Sequence, residues 1–439
     1  MSTPNQLSAT QAAAKIASGE LSAVELMQAC LARIAEREAD VQAWVFLDTE
    51  RAMNLAREAD ALLASGKGIG ALHGVPIGIK DIIDTADMPT ENGSPMFKGR
   101  TTNHDAACVS ALRDAGAIIL GKTVTTELAN SFPGKTHNPH NLEYSPGGSS
   151  SGSAAGVADF HMPLALGTQT GGSVIRPGSF CGIYALKPTL GLISRSGVLL
   201  QSPTLDTVGV YGRSVEDLGL ITDCLSARDP SDPVNYPRSR SNLLATLREQ
   251  PSSTPRLAFL RTPGWPSASE AAQQALLKYV EQLGDRCVEE SLPAPFDQIC
   301  ELHRHIMGPE DLTYYGDFLR DTPELLSAHL REKLIANKSV TASEYVNAQR
   351  AREIINADFN ALLGRYDAVL CLSSAHCAPH GLGSTGDAIF NGLWTYLGVP
   401  CVSLPKLEVD GMPMGVQLVG MRGDEGRLLR TARWLDGYL

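Results

Sequence analysis

The amino-acid sequence predicts an α/β fold with a mixed central sheet. Three observations lead to this prediction: capped helices near the start of the chain, short apolar segments bounded by Gly and Pro after them, and stretches of helical periodicity between those segments. The chain has 439 residues, which exceeds the size at which one hydrophobic core usually stops growing. We therefore expect one large layered domain or two domains.

The first predicted elements are two helices. Ser22 and Glu25 form a capping box, S-x-x-E, and the apolar residues that follow fall on one helical face. A second helix is predicted from about residue 49 to residue 63, because Gly66 and Gly68 follow as stop signals. Both helices are predicted to be packing elements.

Short apolar segments further along the chain predict buried strands. These predicted strands span residues 75–79, 117–120, 164–166, 183–186, 256–260, 368–372, 401–404 and 414–419. A helix is predicted over residues 105–115, and a mainly helical block with caps at Ser214 and Thr341 covers about residues 214–363. An amphipathic helix after Asp424 closes the chain. We expect the helical block to cover one side of the sheet.

Residues 141–182 are rich in Gly and Ser, a composition that is also typical of flexible linkers. The segment nevertheless carries apolar residues that a solvated linker would lack: Ala154, Ala155, Val157, Leu164, Ile175 and Phe180. We interpret it as a folded loop and helix in which backbones approach one another closely.

Composition and charge exclude several classes of protein. Hydrophobic residues make up 43% and charged residues 19% of the chain, which is typical of a globular enzyme or binding protein. The formal net charge of −11 leaves no basic surplus for phosphates, so we expect no direct nucleic-acid partner. The nine cysteines include no C-x-x-C pair, which argues against a disulfide framework or a zinc site and favours the cytoplasm. Without a leader-like start or an apolar run of about 20 residues, we expect neither secretion nor a membrane partner.

Two segments match nucleotide-binding motifs in spelling only. Residues 116–123 spell a P-loop, but the predicted strand 117–120 lies inside the motif, where a P-loop needs phosphate-binding backbone. Residues 381–386 spell the dinucleotide fingerprint without the strand and acidic residue that it needs, so we predict a loop. His303 and His305 have no third ligand at metal spacing, and we predict that they lie at the surface without a metal.

Residues 148–152 match the G-x-S-x-G elbow of α/β-hydrolases, which would make Ser150 a nucleophile served by His376 or His380. That elbow directly follows an apolar strand, whereas residues 138–147 contain two prolines and several polar side chains. We keep this hydrolase as a rival interpretation, because its motif is present although its structural context is missing.

Lys80 lies in an apolar run, residues 74–83, where a lysine either snorkels to the surface or is buried for a purpose. If this run is a strand, Asp81 points to the opposite face and cannot neutralise Lys80. Two serine-containing segments, residues 145–153 and 167–177, hold no histidine, so a lysine is the remaining base for activating a hydroxyl. A lysine base must be neutral, and apolar surroundings lower its pKa accordingly.

Together, Lys80, the Gly/Ser-rich segment and the sequence Gly-Thr-Gln-Thr-Gly-Gly-Ser173 resemble the amidase signature family, and the resemblance extends over nearly the whole chain. It implies that Ser173 is the nucleophile, that Ser149, 24 residues earlier, is a bridging serine, and that Lys80 is the base. It also implies a cis peptide between Gly148 and Ser149. The implied fold is a single α/β/α domain around a large, twisted mixed sheet covered by helices, and no cofactor is expected.

The glycines before Ser173 let consecutive backbone N–H groups converge on one point, because glycine adopts backbone angles that other residues avoid. We therefore predict an oxyanion hole at Thr170, Gly171 and Gly172. The residues predicted to support the site are Ser150, Thr168 and Arg176. Many family members have Asp where this chain has Gln169 and place the Arg one residue closer to the nucleophile, so the roles in the usual pattern do not carry over to Gln169 or Arg176.

The resemblance implies an amidohydrolase that cleaves the C–N bond of a small carboxamide through an acyl-enzyme on Ser173, releasing ammonia or an amine. One alternative is the glutaminase subunit of a tRNA-dependent amidotransferase, and another is a non-catalytic binding protein. Gln169 and the atypical residues 371–386 favour the free-standing amidohydrolase. A homodimer is left open.

The resemblance also suggests how the chain is divided. We assign residues 1–70 to a helical segment that packs on the core and residues 71–439 to the amidase catalytic domain. The substrate pocket is expected near residues 306–315 and near the loop that holds His376 and Phe390.

Overall fold

The computed structural model describes residues 3–67, 69–237, 239 and 242–438. In these residues eleven strands are found: β1 (Trp44–Leu47), β2 (Pro76–Lys80), β3 (Ile118–Thr123), β4 (Leu164–Gln169), β5 (Tyr184–Lys187), β6 (Thr207–Gly212), β7 (Leu257–Leu260), β8 (Cys287–Glu290), β9 (Ala368–Leu372), β10 (Cys401–Val409) and β11 (Met412–Val419). All eleven join one sheet in the order β1-β3-β2-β4-β6-β5-β10-β11-β9-β7-β8. Its strand pairs are both parallel and antiparallel, as the predicted mixed sheet requires.

The same residues form fourteen α-helices. They are α1 (Ala9–Ser18), α2 (Ala23–Val41), α3 (Thr49–Ala64), α4 (Ala107–Asp114), α5 (Ser151–Ala158), α6 (Ile175–Phe180), α7 (Val215–Leu225), α8 (Leu243–Arg248), α9 (Glu270–Leu283), α10 (Ile299–Asp321), α11 (Ala328–Asn337), α12 (Ala342–Leu363), α13 (Gly392–Leu397) and α14 (Glu425–Asp436). The predicted single α/β domain with a helix-covered mixed sheet is confirmed. Within the described part of the chain, no helix is long and apolar enough to cross a bilayer.

The central strands are buried on both faces. Ile119 of β3 packs in one hydrophobic cluster, whereas its neighbours Ile118 and Leu120 pack in another. Because successive side chains of a strand point to opposite faces, the two clusters cover opposite faces of the sheet. This double burial explains why these strands form continuous apolar runs in the sequence instead of alternating patterns.

Strand β2 lies between β3 and β4 and runs parallel to both. Ile79 of β2 pairs with Leu166 of β4, so Lys80, the last residue of β2, lies beside the carboxyl-terminal half of β4. The segment that contains Ser173 follows β4 directly. Because the carboxyl ends of parallel strands meet at one edge of a sheet, the fold brings the lysine and the serine segment together.

The N-terminal helices begin and end at the predicted signals. Ser22 caps α2 through a capping box with Glu25, and α3 ends just before Gly66, whose φ is +70°. Gly68, the other predicted stop signal, lies outside the described residues. Residues 1–70 also include strand β1, which pairs antiparallel with β3 and was not predicted. The division of the chain at residue 70 stays a prediction.

The block at residues 214–363 is mainly helical, as predicted. Ser214 caps α7, and Thr341 caps α12 through a capping box. The block also contributes two paired parallel strands, β7 and β8, of which only β7 was predicted. A third unpredicted strand, β6, lies between β4 and β5 in the middle of the sheet.

The motifs that matched only in spelling have the predicted local structures. Strand β3 runs through residues 116–123, and residues 381–386 form a loop. The surface prediction for His303 and His305 is wrong, because both side chains are buried on helix α10. In the described residues no group of three His, Cys, Asp or Glu side chains is placed to hold a metal ion.

Candidate active site

Lys80 ends strand β2 with its side chain fully buried. Its Nζ lies 2.6 Å from the hydroxyl oxygen of Ser149 and 2.8 Å from that of Thr168. Burial holds the pKa of Lys80 well below its ordinary value, and the negative charge of Asp206 opposes this effect only in part. Burial therefore favours the neutral form of the lysine, which is the form that a base requires.

The carboxylate next in sequence serves a different lysine. Asp81 lies 3.3 Å from the ammonium of Lys122 on β3 and accepts the N–H of Glu91. Burial raises the pKa of Asp81 to about 6, although the charge of Lys122 acts in the opposite direction. As predicted, Asp81 does not neutralise Lys80, because its carboxylate pairs with Lys122 instead.

Ser149 lies in the loop that leads into helix α5. The peptide bond between Gly148 and Ser149 is cis, as the resemblance implies. Close packing requires glycine nearby: a Cβ on Gly148 would lie 2.7 Å from the side chain of Thr385, and a Cβ on Gly152 only 2.1 Å from the carbonyl oxygen of Ala43. The prediction that backbones approach closely in this segment is confirmed.

Ser173 lies in the turn between strand β4 and helix α6, half-buried at the wall of a cavity. Gln169 holds this turn, because its Oε1 accepts the N–H groups of Val174 and Ile175, each at 2.9 Å. The Nε2 of Gln169 donates to the hydroxyl of Thr395 at 2.9 Å. We assigned no role to Gln169 from the sequence. In the structure its amide oxygen holds the turn after Ser173, and its amide nitrogen connects this turn to Thr395.

The proton relay expected from the sequence is formed in part. Lys80 and Ser149 are hydrogen-bonded, whereas no hydrogen bond joins the hydroxyls of Ser149 and Ser173 in the described residues. The backbone carbonyl of Ser173 accepts a hydrogen bond from the Tyr211 hydroxyl at 3.2 Å. Proton transfer between the two serines therefore stays a prediction.

Three consecutive backbone N–H groups, those of Gly171, Gly172 and Ser173, donate to no acceptor within the described part of the chain. These residues line the cavity together with Thr170. Unpaired main-chain donors at a cavity can stabilise negative charge that develops on a bound molecule. The hydroxyl of Thr170 donates elsewhere, to the buried carboxylate of Asp206, whose pKa burial raises to about 6.

The three residues predicted to support the site lie next to it. Thr168 contacts Lys80, as described above. The Oγ of Ser150 is buried, accepts the N–H of Thr168 at 3.2 Å and donates to the carbonyl of the same residue at 3.3 Å. Arg176 donates to the carbonyl of Gly148 at 2.7 Å, and burial lowers the pKa of Arg176 to about 10. Arg176 thus binds the main chain just before Ser149, whereas Ser150, just after it, binds the main chain of strand β4.

The rival nucleophile, Ser150, is served by neither histidine that the elbow motif suggested. The ring of His376 stacks on Phe180, and the ring of His380 packs edge-on against Tyr144. No strand leads into the motif in the described residues that precede it. The structural context that the α/β-hydrolase interpretation requires is therefore not formed.

The segment that contains Ser173 opens onto a cavity of about 460 Å³. Polar side chains from distant parts of the chain supply much of its wall: Asn130, Ser131, Gln201, Lys333, Ser384, Thr385 and Asp387. The ammonium of Lys333 lies 3.2 Å from the Asp311 carboxylate and 2.8 Å from Oδ1 of Asn130. A cavity of this size with polar groups around it suits a small polar molecule.

The expected position of the pocket is right in part. Met307, within the expected residues 306–315, lines the cavity. Phe390 is instead buried in the core, while residues 384–388 just before it form part of the wall. His376 lies outside the lining residues. No short motif marks the polar wall residues, so sequence reasoning could not find them.

The arrangement has the parts that nucleophilic acyl substitution needs. Lys80 is a buried amine whose pKa burial lowers and which contacts the Ser149 hydroxyl. Ser173 offers a second hydroxyl at the cavity, and unpaired main-chain donors lie beside it. A base, a nucleophile and a stabiliser of developing charge are the three roles required.

Comparison with known families and curated proteins gives matches over nearly the whole chain. The family model described as Amidase matches residues 25–429. A glutamyl-tRNA(Gln) amidotransferase subunit of Chloroflexus aggregans is 32% identical over 100% of this chain and 97% of its own length. The corresponding subunit of Salinispora arenicola is 32% identical over 99% of this chain and 98% of its own length.

Solved structures with the same fold include enzymes of different specificity. One is reported as a vestigial protein complex that reveals the evolutionary origins of an s-triazine catabolic enzyme; its TM-score is 0.92, with 28% identity over 98% of both chains. The peptide amidase of Stenotrophomonas maltophilia has a TM-score of 0.84 and 28% identity, over 99% of this chain and 97% of its own.

Proposed function

This chain belongs to the amidase signature family, and we propose that it is an amidohydrolase that cleaves the C–N bond of a small carboxamide. One observation carries the proposal. Lys80, whose pKa burial lowers, is hydrogen-bonded to Ser149, and Ser173 lines a cavity together with unpaired backbone N–H groups. A buried lysine whose hydrogen-bond partners in the described residues are two hydroxyls is unfavourable for stability, which favours a functional role.

Ser173 is the proposed nucleophile. As its oxygen attacks the amide carbon, its proton passes to Ser149, and Ser149 gives its own proton to Nζ of Lys80. The carbonyl oxygen becomes an oxyanion, which the N–H groups of Gly171 and Gly172 would stabilise. Return of the proton through Ser149 to the leaving nitrogen breaks the C–N bond. Water then hydrolyses the acyl-enzyme by the same relay, and Ser173 regains its proton.

The wall of the cavity supports a small polar substrate. Asn130, Gln201 and Asp387 offer hydrogen-bonding groups, and Lys333 is already paired with Asp311. A volume of about 460 Å³ is near the lower end of the range for small-molecule sites. We therefore expect short aliphatic or ureido amides to be better substrates than large aryl amides.

A covalent probe tests the proposal. We expect a fluorophosphonate to label the chain at Ser173, and Ser173→Ala to lose labelling together with ammonia release from a panel of small amides, by a factor on the order of 10⁴ or more. Ser343→Ala, which removes an exposed serine of helix α12, is the control and should behave as the unchanged protein. Labelling that persists in Ser173→Ala, or that maps to Ser150, would refute the assignment.

A second candidate function is the glutaminase reaction of an amidotransferase subunit. It is favoured by the curated relatives of that name, which this chain matches over 97% of the length of the Chloroflexus aggregans protein. The net charge of −11 and the Gln169 position favour the free-standing enzyme instead. The chain purified alone should hydrolyse amides other than glutamine. Activity confined to glutamine, and present only with stoichiometric co-purifying subunits, would favour the second candidate.

A further inference from the structure

The carbonyl groups of the proposed oxyanion loop, residues 170–172, each have a hydrogen-bond partner. The carbonyl of Thr170 lies 2.9 Å from Nε2 of His303, and the carbonyl of Gly171 accepts from the hydroxyl of Thr395 at 2.7 Å. The next carbonyl, that of Gly172, accepts the backbone N–H of Arg176 at 2.9 Å. Three successive peptide groups therefore each have one fixed end.

Fixing a carbonyl also fixes the N–H of the same peptide group. In a trans peptide the C=O and the N–H are coplanar and point in opposite directions. The contact at the Thr170 carbonyl thus sets the direction of the Gly171 N–H, and the contact at the Gly171 carbonyl sets that of the Gly172 N–H. Both N–H groups are the unpaired donors described above.

His303 is suited to donate this hydrogen bond. A carbonyl oxygen can only accept, so the ring must carry its hydrogen on Nε2. The side chain is buried on helix α10, and burial lowers the pKa of His303 to about 4, which keeps the ring neutral at physiological pH. A neutral ring in a fixed tautomer gives one donor with one direction.

Thr395 is held in turn by Gln169. The Nε2 of Gln169 donates to the Thr395 hydroxyl oxygen, so the hydroxyl hydrogen remains for the Gly171 carbonyl at 2.7 Å. A longer contact of 3.2 Å joins the same hydroxyl to the Asn391 carbonyl one turn earlier in the chain. A carboxylate at position 169 could not donate in this way. The amide of Gln169 thus connects the turn at Ser173 to the oxyanion loop.

We propose that His303 and Thr395 are positioning residues, which orient the peptide groups of residues 170–172 so that their N–H groups face the reacting carbonyl oxygen. Neither residue touches the substrate. The inference rests on the proposed function and goes beyond it, because it assigns the geometry of the oxyanion hole to two side chains that the serine segments do not contain.

The test measures the reaction of Ser173 with a fluorophosphonate, separating the maximal labelling rate constant from the binding constant of the probe. The first pair of variants, His303→Phe and Thr395→Val, removes the hydrogen-bond donor at each position while keeping a similar side-chain volume. The second pair, His303→Gln and Thr395→Ser, keeps a hydrogen-bond donor at each position. We expect the rate constant to fall about 10- to 100-fold in the first pair, less than the roughly 10²- to 10³-fold loss seen when a donor is removed outright. Probe binding should stay within about twofold, and the second pair should recover most of the rate.

Thr222→Val is the matched control. Thr222 is also buried, and its hydroxyl donates to the Leu218 carbonyl at 2.6 Å on helix α7, outside the lining residues of the cavity. It should lose stability like Thr395→Val but label at the rate of the unchanged protein. Thermal unfolding of every variant shows whether it is folded when labelled, and the Thr395 pair keeps the test decisive if His303→Phe does not fold.

Three outcomes would overturn the inference. Folded His303→Phe and Thr395→Val that label at the full rate would exclude a positioning role. His303→Gln as slow as His303→Phe would exclude a role through hydrogen-bond donation alone. If Thr222→Val labels as slowly as Thr395→Val, the slower labelling is explained by a general loss of stability and not by the orientation of the peptide groups. Failure of the unchanged protein to label at Ser173 would refute the proposed function instead.

Discussion

At the scale of single residues, Lys80 is held in an environment that favours its neutral form. Its folded-state pKa is lowered by burial, whereas an unfolded chain restores the ordinary lysine pKa of about 10.4. At a pH between these two pKa values, unfolding therefore takes up a proton at this residue. Proton uptake on unfolding makes the free energy of unfolding rise with pH, by at most about 1.4 kcal/mol per pH unit for one group.

Replacing Lys80 by Met should separate activity from stability. We expect Lys80→Met to lose amide hydrolysis and yet to have a larger free energy of unfolding than the unchanged protein at pH 7, because no buried amine has to give up its proton. The difference should narrow as pH rises toward 10. Urea unfolding at several pH values measures it.

The control for this experiment is Lys187→Met. Lys187 is also fully buried, but its ammonium donates to the carbonyls of Pro188 and Val399, outside the cavity wall. It should retain activity. A stability difference for Lys80→Met that does not change with pH would mean that Lys80 keeps its proton in the folded protein, which would remove the proposed base.

Sequence reasoning was strong for residues that belong to local segments. Lys80 was proposed from its apolar neighbours, and Ser149 and Ser173 were proposed from the resemblance of their segments to the amidase signature family. The fold places these segments together. It was weak for His303 and Thr395, which come from helices far along the chain. Their contacts with the oxyanion loop depend on tertiary packing, and no local pattern encodes them.

At the scale of elements, helix α5 shows why the Gly/Ser-rich segment has its composition. Gly152 in its first turn lies so close to the chain around strands β1 and β3 that a Cβ would meet the Ala43 carbonyl at 2.1 Å and the Val124 nitrogen at 2.5 Å. Both neighbours are backbone atoms and cannot move aside cheaply. Because Ser149 directly precedes this helix, its position depends on how closely α5 approaches the sheet.

Two glycine substitutions in helices should therefore have opposite effects. We expect Gly152→Ala to lower the free energy of unfolding by about 1–3 kcal/mol or more and to reduce activity, since the added methyl displaces α5. A Cβ on Gly316 in helix α10 would meet no atom within 4 Å. Gly316→Ala should therefore raise the free energy of unfolding by about 0.5–1 kcal/mol without changing activity. Urea unfolding and ammonia release measure both. Equal effects of the two substitutions would contradict this account of α5.

The strands that sequence reasoning found and missed differ in composition. Strands β2 and β4 lie in short apolar runs that are buried on both faces, and these runs predicted them. Strand β6 contains two glycines, which weaken a strand signal, and it forms through tertiary pairing with β4 and β5. Strand β8 has four residues, two of which are glutamates, so no apolar run marks it.

At the scale of the whole molecule, one sheet joins the chain from its first segment to its last. Strand β1 from the N-terminal segment lies at one edge, and β10 and β11 from near the C-terminus pair in the interior. Main-chain hydrogen bonds thus cross the division at residue 70 that the sequence analysis placed between two segments. Such pairing couples the folding of the two parts.

The net charge of −11 leads to a prediction about nucleic acid. We expect the purified chain to show no measurable binding to tRNA at physiological ionic strength. Acidic residues outnumber Lys and Arg, so the chain has no excess of positive side chains to neutralise phosphates and release their counterions. Fluorescence anisotropy of labelled tRNA titrated with the chain measures this. Binding that weakens steeply as salt is added would contradict the prediction and would favour the amidotransferase function.

The residues proposed for chemistry and the residues of the polar cavity wall belong to different parts of the structure. Lys80 and the turn after β4 stand on adjacent parallel strands in the middle of the sheet, whereas loops and helices far apart in the chain supply the polar cavity wall. Mutations can alter that wall while the paired strands remain as they are. In evolution, substrate preference can therefore change through substitutions in loops and helices, while the strands that carry the proposed reaction chemistry are inherited unchanged.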